Sequence, residues 1–115
     1  MIDASSPLAD GASIEVAGAR VDSFTVASFV DRVLAMASTG GTEVAVGINA
    51  HVCNLARHNR RFSDLLSRSI TYADGQSVVW GARLLGGTLP ERLATTDIAE
   101  PILRAAAAAS LPVYF

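Results

Sequence analysis

Asp74 and its neighbours are residues that could carry out acid–base chemistry on a bound substrate. Asp74 and Gln76 follow an apolar stretch that predicts a strand, with Gly75 between them, and Asn49 follows an earlier apolar stretch in the same way. The carboxyl ends of parallel strands lie at one edge of a sheet, where open α/β folds bind ligands. A carboxylate at such an edge can act as general base and take a proton from an attacking hydroxyl.

The same predicted edge has features that suit a nucleotide-sugar. Gly75 would let a substrate approach the backbone closely, and free N–H groups at the start of the helix near Ser77 could face an anion. Asp-Gly and Asn-Ala pairs after strands are also ordinary turn and helix-capping residues. A binding site and a plain turn therefore both remain open as interpretations.

Strands and helices alternate along the chain, which predicts an α/β fold with a Rossmann-like parallel sheet and flanking helices. The stretch at 13–21 predicts one short strand, or two strands about a turn at Ala17 and Gly18. We expect the strand at 43–48 to be buried on both faces. Further strands are predicted at 69–73 and 111–115.

Apolar residues at helical spacing predict the helices between these strands. They lie at 26–37, which is followed by a glycine pair, and then at 50–57, around 62–66, at 77–85 and at 98–109. Asp97 and Glu100 resemble a capping box that would start the last helix. We expect Tyr72 and Trp80 to lie in the core or in a pocket wall.

Length and charge limit the domain organisation and the partners. The chain has 115 residues, half of them hydrophobic, which predicts one domain at 13–115 preceded by a flexible arm at 1–12. The formal net charge of -2 argues against nucleic acid as a partner. All nine basic residues are arginine, so a lysine Schiff base and a P-loop lysine are excluded.

The composition also bears on metals, thiols and location. His51 and His58 have no cysteine or carboxylate at ligand spacing, so no metal site is predicted. Cys53 is the single cysteine and is expected to be a small buried hydrophobe. The N-terminus does not read as a signal peptide, and no stretch approaches the ~20 apolar residues of a membrane span. We expect a cytoplasmic protein that could rest on a membrane surface.

Four sequence elements resemble the WecG/TagA/CpsF family of bacterial glycosyltransferases. With the strand and helix before them they cover roughly 14–115, and they are INAHV (48–52), YADGQSVVW (72–80), GARLLGG (81–87) and LPERLATTDI (89–98). The resemblance implies inverting transfer of N-acetylmannosamine or another hexose from a UDP-sugar to a polyprenyl-diphosphate-linked acceptor. The reaction would take place at the cytoplasmic membrane face during cell-surface polysaccharide synthesis. It implies no bound metal and no cofactor.

The resemblance also implies roles for single residues. Asp74 matches the family's candidate base, and Asn49 matches the asparagine that lines the sugar and acceptor pocket. Gln76 would lie at the pocket rim, and Arg92 would fix a loop or meet phosphate. The family usually has a hydroxyl residue shortly before the asparagine, where this chain has Gly47 and Ile48. One hydrogen bond to the substrate is therefore expected to be missing.

Family chains continue past the strand predicted to end at Phe115, through a glycine-rich turn and a G-x-P-x-Q-E-like motif. We therefore expect the fold to be truncated there and, if the 115 residues are the whole polypeptide, catalysis to be weak or lost. One alternative is a non-catalytic remnant that binds a nucleotide-sugar or forms a homo-oligomer through an open strand edge. A nucleotide-binding regulatory module is a third.

Overall fold

The computed structural model describes residues 7–115, which form an α/β fold with a small parallel sheet, a hairpin and flanking helices. The predicted fold class is confirmed. None of the helices formed by these residues has the length and apolar character needed to span a bilayer. In chain order the elements are β1 (Ser13–Val16), β2 (Ala19–Asp22), α1 (Val26–Ser38), β3 (Ala45–Ile48), α2 (Ala50–His58), α3 (Arg60–Ser67), β4 (Ile70–Ala73), α4 (Gln76–Leu84) and α5 (Thr95–Ala108).

Of the two alternatives for residues 13–21, the pair of strands is correct. β1 and β2 are antiparallel and joined by a turn at Ala17 and Gly18, which have φ values of 49° and 85°. Positive φ at both central residues gives a turn whose twist matches that of the strands. The hairpin packs against α2, α3 and α4.

β3 and β4 are parallel, and the pairing places Ile48 opposite Ala73 at their carboxyl ends. The expectation that the first of these strands is buried on both faces is wrong, because Ala45 is exposed and Val46 is only half-buried. Within residues 7–115, β4 is the strand that pairs with β3, so the other edge of β3 stays open.

Two clusters of buried side chains form the core. The first joins the hairpin to α2 and α4 and includes Val16, Cys53 and Ala82. The second joins α1 to α5 and includes Phe29 and Tyr72, whose rings lie 4.8 Å apart between centroids. Tyr72 and Cys53 are thus buried as expected, and burial raises the pKa of the Cys53 thiol above its ordinary value.

Trp80 is not in the core or in a pocket wall, because its side chain is 62% exposed. Val78 and Ala82 occupy the inward face of α4, and both are buried. Trp80 lies two residues from each of them, on the opposite side of the helix. The helix predicted at 77–85 is shifted by one residue, because α4 runs from Gln76 to Leu84, and Leu85 after it is exposed.

The predicted start of the last helix is wrong as well. α5 begins at Thr95, and Asp97 lies inside its first turn rather than at the cap. The residue at the cap, Ala94, has no side-chain acceptor. A carboxylate from outside the helix accepts the Thr95 N–H instead, so the helix starts earlier than its own sequence indicates.

Residues 111–115 do not form the predicted strand. The Leu111 N–H donates back to the Ala106 carbonyl at 2.9 Å, and Ser110 has a left-handed φ of 56°. Pro112 follows at once and has no N–H to give to a ladder. The chain therefore leaves α5 without pairing to β3, and Phe115 is exposed.

Part of the predicted N-terminal arm contacts the rest of the fold. The Leu8 N–H donates to the Thr88 carbonyl at 2.7 Å, and the Ser23 hydroxyl donates to the Leu8 carbonyl at 3.2 Å. Residues 1–6 of that arm lie outside the described residues. The division into an arm at 1–12 and a domain at 13–115 stays a prediction.

Asp22 joins the hairpin to the parallel sheet. Its Oδ2 accepts from the backbone N–H of Thr71 at 3.0 Å, and its own N–H donates to the Thr71 hydroxyl at 3.1 Å. Arg20 Nε donates to Oδ1 of the same carboxylate at 3.1 Å. Thr71 is fully buried, so the side chain of Asp22 satisfies a backbone group that water does not reach.

We expect Asp22→Ala to lower the free energy of unfolding by about 1–3 kcal/mol, because it leaves the buried Thr71 N–H without an acceptor. Denaturant unfolding followed by circular dichroism measures the change. Asp31→Ala, at an exposed position of α1, is the control and should change stability by less than about 0.5 kcal/mol. Equal effects in the two variants would contradict the role given to Asp22.

Candidate functional site

The ends of β3 and β4 form one edge, and the loop after β4 closes over the end of β3. The N–H groups of Asp74 and Gly75 both donate to the Ile48 carbonyl, at 3.0 and 3.1 Å. A Cβ placed on Gly75 would lie 3.1 Å from Asn49 Cβ, so a larger residue at 75 would press on Asn49. Asn49 and Asp74 thus lie at the same edge, in adjoining turns.

Asn49 is the residue that starts α2. Its Oδ1 accepts from the Val52 N–H at 2.9 Å, as in an ordinary helix cap. Within residues 7–115 no hydrogen bond is formed by its Nδ2 group, and the side chain is half-buried. The capping interpretation therefore accounts for the oxygen of this amide and leaves its two N–H donors available.

The two carboxylate oxygens of Asp74 differ in their surroundings. Oδ1 accepts from the Thr95 N–H at 2.9 Å and so caps α5 from outside that helix. Oδ2 accepts no hydrogen bond from the part of the chain that the structure describes. The contact with Thr95 holds the side chain in one orientation at the positive end of the helix. One oxygen is fixed while the other remains free to accept a proton.

The loop between α4 and α5 is tied to the end of β4. Arg92 Nε donates to the Asp74 carbonyl at 2.6 Å, and the Leu93 N–H donates to the Ala73 carbonyl at 2.7 Å. Leu93 is 1% exposed, whereas Arg92 is exposed. Arg92 therefore fixes the loop with one nitrogen and turns the rest of its guanidinium group toward solvent.

Gln76 lies at the edge but is not held against the other candidate residues. It is the first residue of α4 and is exposed, and no partner for its side chain occurs among residues 7–115. Gly75 precedes it and gives α4 no side-chain cap. The structure thus brings Asn49, Asp74, Gly75 and Arg92 together and leaves Gln76 at the rim.

The absence of a hydroxyl residue at position 47 has a steric reason. A Cβ on Gly47 would lie 3.0 Å from Asp74 Cβ and 3.1 Å from two ring atoms of Tyr72, so a side chain fits there only if these neighbours move. The hydroxyl groups of Tyr72 and Thr95 hydrogen-bond to each other, with Oη and Oγ1 2.9 Å apart. Thr95 contributes to the site through its backbone N–H, which donates to Asp74. Every residue except proline has such a group, so the sequence does not single out Thr95.

The site is an open edge and not an enclosed pocket. An apolar cavity of about 350 Å³ is lined by Tyr72 and Thr95, which neighbour Asp74, but not by Asp74 itself. Phe29 and Ile98 line the same cavity on the side of the second core cluster. No group of three or more His, Cys, Asp and Glu side chains suited to a metal ion occurs across residues 7–115.

Comparison with models of protein families identifies the family of this chain. The family model described as the glycosyl transferase WecG/TagA/CpsF family matches residues 14–115. This range contains both strands of the parallel sheet and every candidate residue of the edge. The search of curated proteins found no match.

Proposed function

Because the chain belongs to the WecG/TagA/CpsF family of glycosyl transferases, we propose that it transfers a sugar from a UDP-sugar to a polyprenyl-diphosphate-linked acceptor. N-acetylmannosamine or another hexose is the proposed donor sugar. The acceptor oxygen bonds to the anomeric carbon as the bond from that carbon to the UDP oxygen breaks. Direct displacement inverts the configuration of the anomeric carbon, and the acceptor hydroxyl proton passes to Asp74.

The environment of Asp74 is the observation that carries this proposal. A general base needs an oxygen that is fixed in position and free to take a proton. The Thr95 N–H holds Oδ1, and Oδ2 accepts no hydrogen bond within residues 7–115. Asp74 has both features, and it lies at the sheet edge beside Asn49 and Gly75.

The residues around Asp74 suit the rest of the substrate. UDP carries negative charge as it leaves, and the exposed guanidinium of Arg92 can offer charged donors to a phosphate. The uncapped start of α4 presents backbone N–H groups beside Gly75. Asn49 can donate to a sugar hydroxyl through Nδ2, with Gln76 at the rim. No step is assigned to a metal or a cofactor.

Calorimetric titration with UDP-N-acetylmannosamine tests the donor site. We expect Arg92→Ala to weaken binding by about tenfold or more, as for the loss of one charge-assisted hydrogen bond. Arg104→Ala is the matched control and should leave the affinity unchanged, because Arg104 lies on α5 and pairs with Glu100. Equal affinities for both variants and the unchanged protein would remove Arg92 from the site.

The open edge of β3 favours a second candidate, a non-catalytic module that self-associates. Val44 and Ala45 are exposed beside this edge, and an uncovered strand can pair with a second copy. Sedimentation velocity alongside the titration separates the two functions. A defined oligomer that binds no UDP-sugar supports self-association, whereas binding of the donor supports transfer.

A further inference from the structure

The outer side of α4 and the residue that follows it expose three large apolar side chains and one arginine, named here the α4 patch: Trp80, Arg83, Leu84 and Leu85. Trp80 is 62% exposed, Leu84 is 88% exposed and Leu85 is 61% exposed. Isolated exposed leucines are common on protein surfaces, but a contiguous apolar group that includes a tryptophan is typical of an interaction surface. The inward positions of this helix are already filled by Val78 and Ala82.

The α4 patch adjoins the candidate site. Gln76, Trp80 and Leu84 are spaced four residues apart on α4, and residues at that spacing share one face of a helix. Gln76 and Leu84 are eight positions apart, which is roughly 12 Å along the helix axis. A surface that covered the patch would therefore come close to the edge that holds Asp74.

The charges around the patch favour an anionic surface. Arg83 is the one charged residue of α4, and neither α4 nor α2 contains an Asp or Glu. Glu15 of β1, the strand packed against α4, lines a cavity with residues of α3. The residues of α4 and α2 themselves therefore carry no negative charge.

A second copy of the chain fits the α4 patch less well than a lipid surface does. The three apolar side chains offer on the order of 400 Å² of surface, about half of the ~800 Å² per partner in a standard stable interface. A two-fold contact through this helix would also bring two copies of Arg83 close together. Trp, Leu and Arg on one helix face are typical of segments that lie in a bilayer interface.

We propose that the α4 patch docks onto a lipid surface with anionic headgroups. The apolar side chains of Trp80, Leu84 and Leu85 enter the interface, and Arg83 pairs with the headgroups. The consequence for catalysis rests on the proposed function: docking brings the edge with Asp74 to the membrane, where a lipid-linked acceptor presents its sugar. Docking itself is measurable without any sugar transfer.

Trp80 is the chain's single tryptophan, so its fluorescence reports directly on the patch. The full chain is titrated with vesicles of phosphatidylcholine and with vesicles that also contain phosphatidylglycerol, and bound protein is measured by cosedimentation. We expect a blue shift of Trp80 emission and binding with the anionic vesicles. Leu84→Ser should weaken this binding on the order of tenfold, since one leucine no longer enters the interface.

Two further variants separate the parts of the docking surface. Arg83→Gln should weaken binding to anionic vesicles by about fivefold and reduce its dependence on salt. Leu103→Ser is the matched control, because Leu103 is 37% exposed on α5, which packs in the other core cluster. It should bind vesicles as the unchanged protein does. Circular dichroism of each variant checks that the fold is retained.

Three results would overturn the docking proposal: no blue shift with anionic vesicles, equal binding by Leu84→Ser, or a blue shift that grows with protein concentration in the absence of lipid. The last result would identify a second copy as the occupant of the patch. Vesicle binding without UDP-sugar binding would keep the docking surface and reject the proposed transferase activity. The reverse pattern would keep the activity and reject the docking surface.

Discussion

Replacing Asp74 by asparagine is expected to lower the rate of sugar transfer by roughly a hundredfold to ten-thousandfold, the usual contribution of a general base. The free energy of unfolding should stay nearly unchanged. An amide cannot take the acceptor proton, but its oxygen can still accept from the Thr95 N–H that now binds Oδ1 at 2.9 Å. UDP release in the presence of a lipid-linked acceptor gives the rate, and denaturant unfolding gives the stability.

Asp74→Ala is the matched control for that experiment. It removes the base and also the acceptor of the Thr95 N–H, so it should lose transfer and about 0.5–2 kcal/mol of stability, as other helix-cap deletions do. Undiminished transfer by Asp74→Asn would remove Asp74 from the mechanism. A stability loss as large in Asp74→Asn as in Asp74→Ala would show that the amide does not replace the cap.

Leu93→Ala is expected to have the largest effect on stability among the changes considered for the edge. Leu93 is 1% exposed and belongs to the core cluster that joins α1 to α5. Truncating such a leucine leaves a cavity and costs about 2–5 kcal/mol in the free energy of unfolding. That is a large share of the ~5–15 kcal/mol that a domain usually has, so part of the protein should unfold under mild conditions.

Leu93 also matters because it anchors the loop that carries Arg92 and leads to Thr95. Urea unfolding measures the loss, and Leu84→Ala is the control, since Leu84 is 88% exposed and should change stability by less than about 0.5 kcal/mol. A loss below about 1 kcal/mol for Leu93→Ala would mean that the loop is held by its backbone hydrogen bonds alone.

The parts of the site that could be predicted from the sequence depend on local patterns. Apolar stretches at 43–48 and 69–73 each end in a polar residue, and parallel pairing then brings Asn49 and Asp74 to one edge. Gly75 packs against Asn49, and the expected close approach of a substrate to its backbone stays a prediction. Each of these inferences uses only neighbouring residues and one rule of sheet topology.

The parts that could not be predicted depend on contacts between distant residues. α5 begins at Thr95 because Asp74, 21 positions earlier, caps it, and nothing in the sequence of the helix records this. Tryptophan is a large apolar residue that is expected in a core, but the smaller side chains of Val78 and Ala82 fill the inward face of α4, and Trp80 stays outside. The open edge of β3 likewise depends on which strands pair with it, and not on its own apolar sequence.

A crystal structure of the protein bound to a UDP-sugar would show directly whether the donor sugar lies beside Asp74. We expect the anomeric carbon of the sugar to lie beyond the carboxyl ends of β3 and β4, with UDP toward Arg92. An acceptor hydroxyl attacking from the opposite side would then lie within hydrogen-bond reach, about 2.6–3.2 Å, of Asp74 Oδ2. Two results would contradict this mechanism. One is a donor bound at the amino ends of β3 and β4. The other is an anomeric carbon so far from Asp74 that an acceptor hydroxyl could not contact both this carbon and Oδ2.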